Sequence, residues 1–170
     1  KLNNYKIENE KLRKMLLFKE AYEKLNLMPA NIVNHNFSSS PNSIIIDLGK
    51  SSNIFINQPI IDMQGLVGKT INVGSIATKA QVITDKNFAV SVKVGPKMHS
   101  AIFKPHYGKY GVLEGVVKST EINVGEIIYT SGISEIYPPD IPVCKIIEVT
   151  NDNDKPFLNV VVEILSDLSN

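Results

Sequence analysis

All ten glycines and nine prolines of this 170-residue chain lie beyond residue 28. The run before them, KLNNYKIENEKLRKMLLFKEAYEKLNLM, is dominated by residues that lose little side-chain freedom in a helix. Residues 1–28 therefore predict one long helix, reaching about 40 Å at its standard rise. Met28-Pro29 ends it, because a proline disfavours helical geometry in the residue before it. With Leu2 at heptad position a, the a/d series runs Leu2, Tyr5, Asn9, Leu12, Leu16 and fails at Lys19, after which Phe18, Tyr22 and Leu25 carry an apolar stripe on a shifted face. The pattern leaves two readings open: an amphipathic helix packed on its own domain, or the tail of a parallel coiled coil that continues upstream. In the second, Asn9 at an a position fixes register and favours two strands at some loss of stability.

Beyond Pro29 the sequence changes style. Residues 43–48, 54–61, 80–84, 88–94, 111–117, 126–130, 143–150 and 157–165 are short runs rich in β-branched residues, separated by turn formers. Two alternate cleanly. Phe88, Val90, Val92 and Val94 share one face against Ala89, Ser91 and Lys93, and Leu158, Val160, Val162 and Ile164 oppose Asn159, Val161 and Glu163, so each strand buries one side. NDNDKP at 151–156 reads as the loop of a hairpin joining the last two strands. Strands this short and frequent predict one or two small antiparallel barrels or a sandwich. The stretch TSGISEIYPPDIPVCKI, residues 130–146, places three prolines within five positions between two such runs. A rigid, donor-poor segment of this kind suits either a surface turn or a crossing between two small β domains.

Composition narrows the function classes. With 43% hydrophobic and 21% charged residues the chain is a folded protein. A formal charge of +1 without any Lys/Arg block argues against a nucleic-acid partner, which needs a clustered basic face to displace counterions. Cys144, the single cysteine, excludes an intramolecular disulfide and a cysteine-based metal site. No apolar run approaches the roughly 20 residues of a membrane helix, and no signal-peptide pattern opens the chain. Because Lys1 stands where an initiator Met would, the expectation is a fragment whose anchor lies upstream.

ENEKLRKML (8–16), IIIDLGKSSNIFINQPII (44–61), GLVGKTINV (65–73), VITD (82–85) and TSGISEIYPPDIPVCKI, in that order across nearly the whole chain, resemble the rod-shape-determining MreC family. Members carry a Glu-Asn followed by Leu-Arg on the coil, a glycine-punctuated strand pair, Gly-Leu-Val-Gly-Lys-Val, and later Thr-Ser-Gly with an aromatic-Pro pair. Asn53 and Asn57 replace family glycines, and Asn is the next residue type to tolerate left-handed geometry. Ser134, Asp140 and Cys144 also replace glycines; Cys144 must adopt ordinary β geometry or strain the backbone. The connection 115–121 is shorter than usual. The resemblance implies a mainly β chain: a helix (1–28), a first small six-stranded-type antiparallel barrel (29–66, completed by 135–170) and a second (67–134), arranged as in chymotrypsin-like proteases but noncatalytic. On that reading residues 130–146 cross between the barrels. It further implies a periplasmic scaffold, anchored to the bacterial inner membrane by an upstream segment and self-associating as a homodimer or larger assembly. Its implied partners are a class B penicillin-binding protein of elongation, MreD and the MreB machinery.

Other readings compete with it. His35, Asp47 or Asp85, and Ser131 occur in the order of a chymotrypsin-type triad, but Ser131 lacks the Gly-Asp-Ser-Gly context, so a turn at Ser131-Gly132 is the plainer expectation. A generic coiled-coil adhesin or fibre module is the third possibility. His35, His99 and His106 have no ligand spacing, and no cofactor or metal is expected. GlyLysThr at 68–70 lacks the earlier glycine of a phosphate loop and is expected as a turn entering a strand. In AIFKPHYGKYGVL, residues 101–113, Phe103, His106, Tyr107 and Tyr110 alternate with lysines, which suits either a partner-binding patch or core aromatics flanked by solvated lysines. Phe37, Phe55 and Phe88 are weaker candidates for such a patch and are expected in the core.

Overall fold

The structure, a computed structural model, describes residues 1–33 and 42–168. It divides into two compact units, Lys1–Asn31 and Ile32–Asn170. In the first, helix α1 spans Leu2–Ala21, shorter than the 28 residues its composition suggests. The Glu23 N–H turns back to the Glu20 carbonyl and the Leu25 N–H to that of Tyr22, so the chain tightens into turns well before Pro29.

The described residues of the second unit form ten strands. β1 (Ser43–Ile46), β2 (Pro59–Ile61), β3 (Leu66–Val73) and β4 (Thr78–Val82) form a four-stranded antiparallel sheet in the order β1-β4-β3-β2. β5 (Val90–Val94), β6 (His99–Tyr107), β7 (Tyr110–Glu114), β8 (Ile127–Thr130), β9 (Pro142–Thr150) and β10 (Asn159–Ile164) close into a six-stranded barrel, β10-β7-β6-β5-β8-β9. The mainly β class is as the sequence implies, with one closed six-stranded barrel and one four-stranded sheet among the described residues.

Both alternating runs behave as their period requires. Phe88, Val90, Val92 and Val94 are buried, as are Leu158, Val160, Val162 and Ile164, and β9 and β10 pair across the 151–156 loop. These side chains join Ile44, Ile46, Leu66 and Val82 of the sheet in one hydrophobic cluster. Residues 68–70 lie inside β3 rather than in a turn before it. Of the run 54–61 only Pro59–Ile61 is strand, because Asn53 and Asn57 take left-handed φ of 61° and 64° and bend the segment before it. The expected Asn-for-Gly equivalence holds at both positions.

Residues 130–146 do not cross between barrels. β8 and β9 are neighbours in the same barrel, with Ile127 opposite Lys145 and Ile128 opposite Cys144. Residues 135–170 therefore contribute β9 and β10 to the barrel and add no strand to the sheet of residues 43–82. The proline-rich segment is instead a loop folded back on its own base. Thr130, fully buried, donates its hydroxyl to the Pro138 carbonyl at 2.6 Å and accepts the Ile141 N–H at 3.0 Å. Tyr137 drops into the core, edge-on to Phe88 at 6.1 Å. Cys144 sits in β9 in ordinary β geometry, while Asp140 takes the left-handed conformation.

Candidate functional site

The segment singled out as a patch is the hairpin β6–β7. Its polar-apolar alternation across Pro105 concealed a nine-residue strand. Pairing of Phe103 with Leu113 and Lys104 with Val112 points Phe103 and Leu113 into the barrel and Lys104 outward, where it meets Glu114 at 3.0 Å. Phe103 is completely buried, edge-on to Phe88 at 6.5 Å, so it is a core residue and not a partner contact. The same side of the strand that faces out at Lys104 cannot also present Phe103, because successive residues alternate faces.

The other three candidates gather at the hairpin tip. The register shifts between Pro105 and Tyr107, with His106 at the irregularity, and Tyr107 pairs with Tyr110 across the two-residue loop Gly108-Lys109. Gly108 takes a φ of 56°, which a side chain at the first loop position would resist. His106 is exposed, and Tyr107 and Tyr110 are 81% and 36% exposed. Lys109 lies 5.5 Å above the Tyr110 ring and 3.6 Å from Glu163. The result is an aromatic tip with one cation, held on a closed barrel. Phe88 is core; Phe55, 64% exposed, lies in the bent segment before β2; Phe37 falls outside the described residues.

On α1, the helix series Leu2, Tyr5, Asn9, Leu12 and Leu16 is exposed throughout, with Leu2 at 74% and Leu16 at 61%. The hydrolase reading gains no support. Ser131 donates its hydroxyl to Ser91 Oγ at 2.9 Å and accepts the Ile133 N–H at 3.2 Å. Asp85 caps its own turn through the Asn87 N–H and takes the Gln81 amide, and His35 lies outside the described residues. His99 and His106 are exposed on β6, and no group of three or more His, Cys, Asp or Glu is placed to hold a metal ion among the described residues. Burial pushes the Cys144 thiol well above its usual range, which keeps it protonated and unreactive. Among the described residues no helix is long and apolar enough to cross a membrane.

Two features escaped sequence reasoning. A groove lined by Lys93, Met98, Glu121, Glu126, Ile127 and Tyr129 lies beside β5 and β8, which pair at Val92–Thr130 and Lys93–Tyr129. Asp62 accepts backbone N–H groups from both sides of the junction between sheet and barrel. No motif marks either feature, because each depends on tertiary contacts between distant segments.

The fold and surfaces define a helix-led β protein with an exposed apolar series on its helix and an exposed aromatic hairpin tip on its barrel. Residues 32–170 match the family model described as rod shape-determining protein MreC, barrel core. The chain belongs to the MreC family. It is 26% identical over 170 residues to the cell shape-determining protein MreC of Haemophilus influenzae, covering 97% of this chain and 47% of that one. Identity is also 26% over 159 residues to its namesake in Escherichia coli, covering 92% and 42%. The chain thus spans about half the length of these relatives. Among solved structures, one MreC superposes with a TM-score of 0.85 at 22% identity, over 97% of this chain and 94% of that one. A Helicobacter pylori MreC, solved in complex with a penicillin-binding protein (PBP2), superposes with a TM-score of 0.63 at 17% identity, covering 84% and 88%.

Proposed function

We propose that this chain is a noncatalytic scaffold of the cell-elongation machinery, binding a class B penicillin-binding protein and organising lateral cell-wall growth alongside MreD and MreB. The observation that carries the reading is the shared barrel fold with a neighbour whose structure was solved together with a penicillin-binding protein. The exposed tip of His106, Tyr107 and Tyr110 supplies a surface of suitable chemistry, since aromatic residues dominate the energetics of protein interfaces. The exposed series on α1 supports self-association into a dimer or larger assembly, with Asn9 setting register. Another structural neighbour is described as the major periplasmic domain of a cell shape-determining filament, which favours the periplasmic side of the inner membrane, with an anchor outside these residues.

The scaffold acts through coupled binding equilibria. Partners gain effective concentration, and an enzyme is activated only if its active conformation binds more tightly than its inactive one. Titrating the wild-type chain and Ser131→Ala against the soluble periplasmic part of an elongation-specific penicillin-binding protein tests the proposal. Equal, saturable binding supports a scaffold in which Ser131 is only structural; absence of binding by either overturns the partner assignment.

A further inference from the structure

The 62–65 turn between β2 and β3 is held from two directions. Asp62 Oδ1 accepts the N–H groups of Gln64 and Gly65, both at 2.8 Å, while the Asp62 N–H donates to the Gly65 carbonyl at 2.9 Å. Gly65 is pressed against the start of β9: a Cβ there would stand 2.3 Å from the Pro142 carbonyl oxygen, so no side chain fits. The second carboxylate oxygen, Oδ2, accepts the N–H of Asp167 at 3.2 Å, from 105 residues further along the chain. Asp167 belongs to the tail that leaves β10, and the Leu165 N–H ties that tail to the Val143 carbonyl at 3.2 Å. One carboxylate thus shapes the turn whose Gly65 abuts β9 and bonds directly to the tail that leaves β10.

We propose that Asp62 is a latch between sheet and barrel, with Oδ1 shaping the turn that seats on β9 and Oδ2 holding the barrel's C-terminal tail. The apolar cluster shared by the two β units keeps both folded, but apolar packing is non-directional. Hydrogen bonds supply the directional constraint, and a carboxyl group with two acceptor oxygens can hold two segments at once. The latch therefore fixes the orientation of the sheet relative to the barrel. Surfaces on the two are presented in a constant mutual register, whichever partner reads them.

The test uses Asp62→Asn, which retains one oxygen for the turn and replaces the other with an amide donor, so the Asp167 bond is lost selectively. Asp167→Pro deletes the donor from the opposite side. Spin labels on cysteines introduced by Lys79→Cys and Lys145→Cys, both exposed, report the separation of sheet and barrel, and Cys144 is too buried to react. The expected result is a broadened distance distribution in both variants. In Asp62→Asn, hydrogen exchange at the Asp167 amide should be roughly tenfold faster while β5–β8 amides are unchanged. An unchanged distribution with unchanged exchange overturns the proposal, as does a uniform acceleration across all strands, which would make Asp62 a residue of global stability.

Discussion

Thr130 holds Pro138 by a 2.6 Å hydrogen bond from its buried hydroxyl to the proline carbonyl, and the same oxygen accepts the Ile141 N–H. One side chain thereby closes the base of the proline-rich loop. The N–H of Thr130 also donates to the Ile141 carbonyl, and the Asp140 N–H to the Thr130 carbonyl. Prolines remove donors from the segment, and Thr130 satisfies much of what remains.

Thr130→Val preserves shape but strips both side-chain bonds, leaving a half-buried carbonyl and a buried N–H without that partner. Loss of about 2 kcal/mol is expected from the cost of unsatisfied buried groups. Urea denaturation measures it; an unchanged midpoint would remove the hydroxyl from the account of this loop.

Tyr137, in the same loop, offers the opposite case. Its hydroxyl is buried without a hydrogen-bond partner among the described residues, and burial holds its pKa above the ordinary tyrosine value. Tyr137→Phe should leave thermal stability unchanged or slightly raised, whereas Tyr137→Ala, which removes the ring packed on Phe88, should cost about 3–5 kcal/mol. A large loss in the Phe variant would reveal a partner for the hydroxyl.

The aromatics of the β6–β7 hairpin should separate by role. Phe103→Ala empties a core site and should cost about 3–5 kcal/mol. Tyr107→Ala, at an 81% exposed position, should change stability by no more than about 0.5 kcal/mol. Calorimetric unfolding of the two variants checks this, and similar losses in both would contradict the assigned inward and outward faces.

Asp62 sets a pH dependence. Burial, the largest influence, and the neighbouring Asp167 raise its pKa, against the lowering effect of the three N–H donors. The folded chain therefore binds this proton more tightly than the unfolded chain does. The resulting stability is fully present below the unfolded value of about 3.8 and is lost as pH rises through the folded value. Relative to Asp62→Asn, the wild type should gain melting temperature as pH falls from about 7 toward 4. Parallel melting curves across that range would show that Asp62 is not the titrating group.

Much of the architecture was legible in the sequence. Period-2 alternation located the core faces of the strands at Val90–Val94 and Asn159–Ile164, and the absence of Gly and Pro located α1. Asn53 and Asn57 were readable as turn residues because few residue types adopt their geometry. Strand order was not legible: a proline-rich connection looks the same whether it joins neighbours or crosses between units, and only the Ile128–Cys144 pairing decides. The site was half legible. Composition flagged the aromatic hairpin, but separating Phe103 from Tyr107 required the register, since a one-residue shift exchanges inside for outside. Asp62 was invisible because its partner lies 105 residues away.

Whether the hairpin tip docks a penicillin-binding protein is decided by titrating a Tyr107→Ala/Tyr110→Ala variant, beside the wild type at one ionic strength, against the soluble part of an elongation-specific member of that class. The wild type should bind saturably and the double variant at least about tenfold more weakly, with the barrel still folded. Wild-type affinity in the double variant would contradict the hairpin tip as the docking surface, and no binding by the wild type would contradict the scaffold reading itself.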